Sequence, residues 1–190
     1  MIKDYHIILS SNSPRRKELL AGLDLDFEIH VKDGIKESYP ADLPVTEIAE
    51  YIATEKAEAY KNELHDNNLV ITADTVVVLG DKVLGKPKSK EDACTMLRML
   101  SGQTHKVVTG VCLTSATKQK RFSVITEVTF KQLSETEISY YVNRYKPLDK
   151  AGAYGIQEWI GYIGVTSING SYFNVMGLPV QRIYEELCKF

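Results

Sequence analysis

The sequence predicts an α/β fold built on a mixed β-sheet. Apolar runs rich in β-branched residues, which suit strands, alternate along the chain with patterns of helical period, as is typical of α/β proteins. A Gly-Asp pair at 80–81 and an Asn-Gly pair at 169–170 suggest hairpin turns, so antiparallel pairs are expected beside parallel ones. The 190 residues are 44% hydrophobic, enough for one well-buried core, and we expect a single domain over residues 1–190.

The first predicted elements are a strand and a helix. The apolar run YHIILSS at 5–11 suits a buried strand. Ser13 and Pro14 follow in the order that often begins a helix, with an N-cap and then a proline at the first helical position. Leucines then recur at helical spacing, and Gly22 is a residue at which such a helix would stop.

A second helix and a hairpin are predicted next. The segment 45–64 has apolar residues at amphipathic spacing, with Thr46 as its candidate N-cap. The segment 68–87 begins as a buried strand, is interrupted by polar residues at 72–75, and continues as a hairpin through the Gly-Asp turn.

The second half of the chain continues the alternation of strands and helices. Ser89 with Asp92, and Ser134 with Glu137, have the spacing at which a serine caps a helix. The predicted elements are helix 89–102, strands 105–115 and 120–133, helix 134–145, and a hairpin over 163–175.

Composition excludes several classes of protein. A formal net charge of −2 gives no general cationic field, so we expect no nucleic-acid partner. The chain shows neither a stretch of about 20 apolar residues nor a signal-peptide pattern, so we expect no membrane partner and a cytoplasmic location. Its three cysteines are odd in number and lack metal-ligand spacing, which favours reduced thiols over a disulfide framework or zinc site.

The segment SSNSPRRKELL at 10–20 is the first candidate site. A strand ending in hydroxyl residues before a helix directs backbone N–H groups and the positive end of the helix dipole at one point, which suits an anion. Arg15 and Arg16 would add forked donors that match phosphate oxygens. The alternative is an ordinary helix start with a serine cap and two solvated arginines.

Asp74 is the second candidate, because its carboxylate interrupts the apolar run VITADTVVVL. A charge in such surroundings is costly unless it is paired, hydrated or bound to a metal. It is therefore either a strand-end aspartate facing water, or a general base or Mg²⁺ ligand. Glu37 is a weaker candidate of the same kind, since loop glutamates are usually only solvated.

Two further segments could contact a nucleotide. Lys86 stands between Gly85 and Pro87, where a held lysine could contact phosphate, although this segment taken in isolation favours an exposed turn lysine. The block LDKAGAYGIQEWIGY at 148–162 combines glycines, an amide and aromatic rings. That mixture suits either a wall around a planar ring or a packed loop.

Three phrases together resemble the Maf family of nucleoside triphosphate pyrophosphatases, and the resemblance covers nearly the whole chain. They are SSNSPRRKELL, the long phrase from ADTVVVLGDKVLGKP to KVVTGV, and the phrase from PLDKAGAYGIQ to NVMGLP. The resemblance implies a fold similar to inosine triphosphatase-like enzymes: an elongated mixed sheet flanked by helices, with two lobes around a central cleft. It also implies a homodimer.

The resemblance further implies roles for single residues. Asp74 matches the catalytic base, and Glu37 with Asp74 matches the site of a divalent cation, Mg²⁺ or Mn²⁺. The residues that match phosphate contacts are Ser11, Ser13, Arg15, Arg16, Lys56 and Lys86.

The block around Gly155 resembles the branch of the family that hydrolyses dTTP and UTP to the monophosphate and pyrophosphate. Arg15, Thr75 and Gln157 match positions linked to substrate choice in that branch. One departure is Glu158–Trp159, where a glycine-bearing turn is expected. Clearance of non-standard nucleotides is compatible with this activity. The alternatives are a pyrophosphatase for a modified or purine nucleotide such as 7-methyl-GTP, or a nucleotide-responsive regulator of septum formation and cell division.

Overall fold

A computed structural model of the protein describes residues 5–65 and 67–190, and in that part of the chain seven strands form one mixed sheet. β1 is parallel to both β2 and β3, whereas β4 pairs with β3, and β7 with β6, in antiparallel fashion. The strands are β1 (His6–Ser10), β2 (Phe27–Ile29), β3 (Asn68–Leu79), β4 (Lys82–Leu84), β5 (Thr104–Ser115), β6 (Gln119–Phe130) and β7 (Val165–Asn169). Their order is β2-β1-β3-β5-β6-β7, with β4 on β3. The predicted α/β class with a mixed sheet is confirmed.

Helices connect and flank these strands. They are α1 (Pro14–Ala21), α2 (Ile48–Glu58), α3 (Lys90–Leu100), α4 (Glu135–Tyr145), α5 (Trp159–Gly164), α6 (Tyr172–Met176) and α7 (Val180–Leu187). Short 3₁₀ turns lie at Lys61–Glu63 and Ala151–Ala153. No helix within the described residues combines the length and the apolar character that crossing a membrane would require.

Local capping patterns predicted several helix boundaries correctly. Ser13 is the N-cap of α1, its hydroxyl accepting from the Arg16 N–H, and Gly22 is the C-cap. Ser89 caps α3 by accepting from the backbone of residue 92, and Ser134 opens α4 as part of a complete capping box. In each case the partner lies within one helical turn, so sequence spacing alone is informative.

Two predictions in the first half of the chain are wrong. Thr46 does not cap α2, because residues 44–47 close a turn through the Glu47 N–H and Pro44 oxygen, and the helix begins at Ile48 without a side-chain cap. The polar break at 72–75 is absent, since β3 continues through it. The Thr72 hydroxyl donates to the Ala53 oxygen at 2.6 Å, which satisfies the polar group inside the strand.

The predicted hairpin over 163–175 is also wrong. Residues 165–169 form a single strand, which pairs with β6 rather than with the residues that follow it. Beyond the Asn-Gly turn the chain enters α6 instead of a second strand. The Ser171 N–H donates to the Thr126 hydroxyl, and Gly170 at φ +126° packs against that same side chain, so β6 redirects the turn.

The chain divides into two compact units. The first comprises residues 1–74, 109–124 and 177–190, and the second comprises 75–108 and 125–176. The first unit has a core cluster of Ile8, Tyr60, Leu64 and Val70. The core of the second unit is larger and includes Leu97, Leu100, Val128, Phe130, Ile138 and Tyr141.

Two contacts place α2 in the first unit. A Cβ on Gly110 of β5 would lie 2.1 Å from the Glu50 nitrogen, so only glycine permits so close an approach of helix and strand. The Thr72–Ala53 hydrogen bond fixes the next turn of α2 on β3. Residue 74 is on the same face of β3 as Thr72, and Lys56 is one helical turn beyond Ala53, so these contacts direct Lys56 toward Asp74.

His105 is buried in the second unit among aromatic rings. Its Nε2 lies 2.7 Å from the Tyr154 hydroxyl, and its ring meets Phe130 edge-on. Its Nδ1 has no hydrogen-bond partner in the described residues. Burial lowers the pKa of His105 from 6.5 to about 4, because the interior disfavours the imidazolium.

This histidine should make the protein less stable in weak acid. Between about pH 6.5 and 4 the unfolded chain binds a proton at His105 that the folded chain does not, so stability falls as pH falls. The difference corresponds to about 3 kcal/mol. The free energy of unfolding, measured in urea across this pH range, should fall less in His105→Gln than in wild type, by that amount. The exposed His65→Gln is the control, and parallel curves for wild type and His105→Gln would contradict the prediction.

Candidate active site

The first unit holds most of the predicted site residues, namely Ser11, Ser13, Arg15, Arg16, Glu37, Lys56 and Asp74. The second unit holds Thr75, Lys86 and Gln157. Thr75 follows Asp74 directly on β3 and is half-buried.

The serines of the first loop are ordered by hydrogen bonds within the loop. Ser11 is buried, and its hydroxyl accepts from the Ser13 N–H at 3.2 Å. Ser13 accepts in turn from the Arg16 N–H. A hydroxyl that accepts through its oxygen can still donate its own proton. The loop can therefore supply two O–H donors to an anion without losing its conformation.

Arg16 is an anchored cation rather than an exposed one. Its Nε donates to the Gly177 oxygen at 2.7 Å, and its Nη1 donates to the Ala73 oxygen at 2.8 Å. Burial lowers the pKa of Arg16, while attraction to the Asp74 carboxylate opposes that shift. This guanidinium thus holds the first loop against the strand that carries Asp74. Sequence patterns did not predict this anchoring, because its carbonyl partners carry no residue-type information.

Lys56 bridges two carboxylates and forms the centre of the site in the first unit. Its Nζ lies 2.8 Å from Asp74 Oδ1 and 2.7 Å from Glu37 Oε1. The Lys56 and Asp74 side chains are only 14% and 15% exposed, whereas Glu37 is 49% exposed. The three residues come from α2, β3 and a loop, so the fold assembles a cluster that no local motif contains.

The two carboxylates fit a divalent cation of the kind that phosphate chemistry uses. Both Glu37 and Asp74 direct an oxygen at one positive charge, and oxygen is the ligand that Mg²⁺ and Mn²⁺ prefer. In the described residues, no group of three or more acidic, histidine or cysteine side chains could hold a metal. A cation here would therefore need further ligands, as Mg²⁺ typically takes from water and substrate phosphates.

The loop that carries Lys86 is tied to the glycine-rich block of the second unit. Lys86 is exposed, whereas the neighbouring Pro87 is buried. The Gly85 oxygen accepts from the Gly152 N–H at 3.1 Å, which connects this loop to the 3₁₀ turn. Gly152 has φ +68°, and a Cβ there would meet Val77 at 2.9 Å, so glycine is required at this contact.

Gln157 has the chemistry of a recognition residue. It is half-buried, and its Oε1 is buried without a hydrogen-bond partner among the described residues. A buried amide oxygen left unpaired costs about 1–3 kcal/mol, so a ligand N–H that reached it would recover that energy. The preceding residues form the tight turn that carries Gln157, and the Glu158 N–H closes it on the Gly155 oxygen at 3.0 Å.

Comparison with known proteins gives one family over almost the whole chain. A family model described as "Maf-like protein" matches residues 6–190. A protein of Phocaeicola vulgatus named dTTP/UTP pyrophosphatase is 60% identical over 188 residues, which cover 99% of this chain and 97% of the relative. A protein of Bacteroides thetaiotaomicron with the same name is 58% identical and covers 97% and 96%.

A solved structure supports the fold independently of close sequence similarity. The Staphylococcus aureus Ham1 protein aligns with a TM-score of 0.51 at 17% identity, covering 95% of this chain and 98% of that protein. At this identity the likeness concerns the fold alone. It agrees with a mixed sheet flanked by helices.

Proposed function

The chain belongs to the Maf-like protein family, and we propose that it hydrolyses dTTP and UTP to the nucleoside monophosphate and pyrophosphate. The near-full-length relatives named dTTP/UTP pyrophosphatase support the reaction and the substrates. The structural observation that carries the proposal is the Lys56 ammonium held between Asp74 and Glu37. It brings together two carboxylates, which can act as a base or bind a metal, and a cation, which can stabilise the charge on phosphate oxygens.

In the proposed reaction a water oxygen forms a bond to the α-phosphorus while the bond from that phosphorus to the bridging oxygen breaks. Pyrophosphate leaves with that oxygen, and the water proton passes to a base. Asp74 is our candidate base: Lys56 holds its Oδ1, and the second oxygen of the carboxylate can accept the proton. Arg16 and the Ser11 and Ser13 hydroxyls would stabilise charge on the phosphate oxygens.

Glu37 and Asp74 are the residues that would hold a divalent cation in this proposal. When bound, Mg²⁺ or Mn²⁺ would neutralise phosphate charge and lower the pKa of a coordinated water. Lys56, which lies beside both carboxylates, would add positive charge near the phosphates, and the family resemblance gives the same phosphate-binding role to Lys86. The family resemblance links Arg15, Thr75 and Gln157 to substrate choice, and the Gln157 amide could both donate to and accept from a pyrimidine edge.

The experiment that tests this function is a substrate panel. Purified protein with Mg²⁺ or Mn²⁺ should release pyrophosphate from dTTP and UTP with kcat/KM at least about ten-fold above that for CTP, GTP and 7-methyl-GTP. Detection of the monophosphate together with pyrophosphate distinguishes this reaction from stepwise loss of phosphate. A preference for 7-methyl-GTP, or no pyrophosphate from any nucleotide, would overturn the proposal.

We also propose that the protein acts as a homodimer in the cytoplasm. The family resemblance supports the dimer, and the composition supports the location. The formal net charge of −2 favours a small nucleotide ligand, met by local cations, over nucleic acid or an anionic membrane surface.

A further inference from the structure

Glu158 follows Gln157 directly and lies at the start of α5, where most of its side chain is removed from solvent. Its Oε2 accepts a hydrogen bond from the Tyr141 hydroxyl, and its Oε1 lies 3.2 Å from the Lys150 Nζ. The Glu158 and Lys150 side chains are 22% and 9% exposed, and Tyr141 is fully buried. The carboxylate is therefore paired on both oxygens inside the second unit.

The contacts among Glu158, Tyr141 and Lys150 also stabilise the turn that carries Gln157. The Gly155 N–H donates to the Tyr141 oxygen at 3.0 Å, so one hydroxyl connects Glu158 to the backbone at the other end of the turn. A Cβ on Gly155 would lie 2.9 Å from the Glu158 carboxyl carbon and 3.1 Å from the Lys150 Cε. Backbone and side-chain contacts thus close residues 155–158 from both ends, with Gln157 between them.

A paired, mostly buried carboxylate at this position calls for an explanation beyond helix capping. Glu158 is the N-cap residue of α5, yet its side chain makes no capping hydrogen bond. Burying the ion pair costs desolvation energy and contributes little net stability in general, although it does fix geometry when its hydrogen bonds are complete. What it fixes here is the backbone immediately beside an amide whose Oε1 has no partner in the described residues.

We propose that Glu158 is a positioning residue that, with Tyr141 and Lys150, holds Gln157 in the orientation that distinguishes a uracil or thymine edge from a cytosine edge. This inference rests on the proposed function, because it concerns how the same site selects its base. Uracil presents an N–H and a carbonyl where cytosine presents an acceptor nitrogen and an amino group, so selectivity depends on which end of the amide faces the base.

The test is a double-mutant cycle read as the ratio of kcat/KM for UTP to that for CTP. Glu158→Ala should lower this ratio about ten-fold, mainly through a higher KM for UTP, with kcat within about three-fold of wild type. In a Gln157→Ala background, adding Glu158→Ala should change the ratio by less than about two-fold. Glu158→Gln keeps an acceptor for Tyr141 and should retain most of the selectivity.

Control variants separate positioning from general destabilisation. Glu135→Ala removes a carboxylate that pairs with Arg98 on the surface of the same unit, and should leave the UTP/CTP ratio unchanged. If Glu158→Ala does not fold by circular dichroism, Tyr141→Phe removes the hydroxyl shared with Gly155 and should give the same loss of selectivity. An unchanged ratio in a folded Glu158 or Tyr141 variant, or additive effects in the cycle, would overturn the inference. Wild-type protein inactive on both dTTP and UTP would overturn the proposed function itself, and the inference with it.

Discussion

Replacement of Asp74 by asparagine is expected to lower kcat for dTTP about 1,000-fold, a typical loss when a general base is removed. Asparagine has nearly the same shape but cannot accept the water proton, and it leaves Lys56 without the charge that lies 2.8 Å away. The KM for dTTP should change less, because the phosphate contacts remain. Pyrophosphate release at saturating dTTP and Mg²⁺ measures the effect.

Asp81→Asn is the matched control for this substitution. Asp81 lies exposed in the turn between β3 and β4, so its loss should leave kcat within about two-fold of wild type. Equal turnover by wild type and Asp74→Asn would show that the base has been assigned to the wrong residue.

Lys56→Met should lower kcat/KM for dTTP about 100-fold, equivalent to about 2.7 kcal/mol of transition-state stabilisation. Methionine keeps the length and helix preference of the side chain but removes the charge between Asp74 and Glu37. Without the competing ammonium, the two carboxylates should also bind Mn²⁺ more tightly in the absence of nucleotide. Titration of Mn²⁺ by electron paramagnetic resonance would measure this second effect.

Lys61→Met provides the comparison for Lys56. Lys61 follows α2 and pairs with Glu58 on the surface, so its substitution should change neither activity nor Mn²⁺ binding. Weaker Mn²⁺ binding in Lys56→Met than in wild type would contradict the placement of the cation between Glu37 and Asp74.

Sequence alone predicted best where the determining contact is local. The caps at Ser13 and Ser134 bind backbone groups three residues away, within reach of pattern analysis. The hairpin predicted from the Asn-Gly pair at 169–170 is wrong because the residue that directs this turn, Thr126, lies on another strand. The same dipeptide can connect two strands of a hairpin or connect a strand to a following helix, and tertiary contacts decide which connection forms.

The candidate site likewise combines features that the sequence predicts with contacts between distant segments that it does not. Residue types and family resemblance identified Asp74, Lys56 and Glu37 individually, but not that one ammonium pairs with both carboxylates. That arrangement depends on α2 lying against β5 at Gly110, a contact between helix and strand backbones. The role of Glu158 was missed for a similar reason: its partner Tyr141 lies 17 residues earlier, on α4.

The bond from Arg16 to the Gly177 oxygen has a consequence for the order in which the protein can fold during its synthesis. The two residues are separated by 161 positions, and ribosomes add about 5–20 residues per second. Gly177 is therefore synthesised roughly 8 to 30 seconds after Arg16. All the residues of the second unit precede Gly177 in the chain. The second unit, which is inserted in the sequence of the first, can therefore be fully synthesised before the first unit, which carries the proposed catalytic base Asp74.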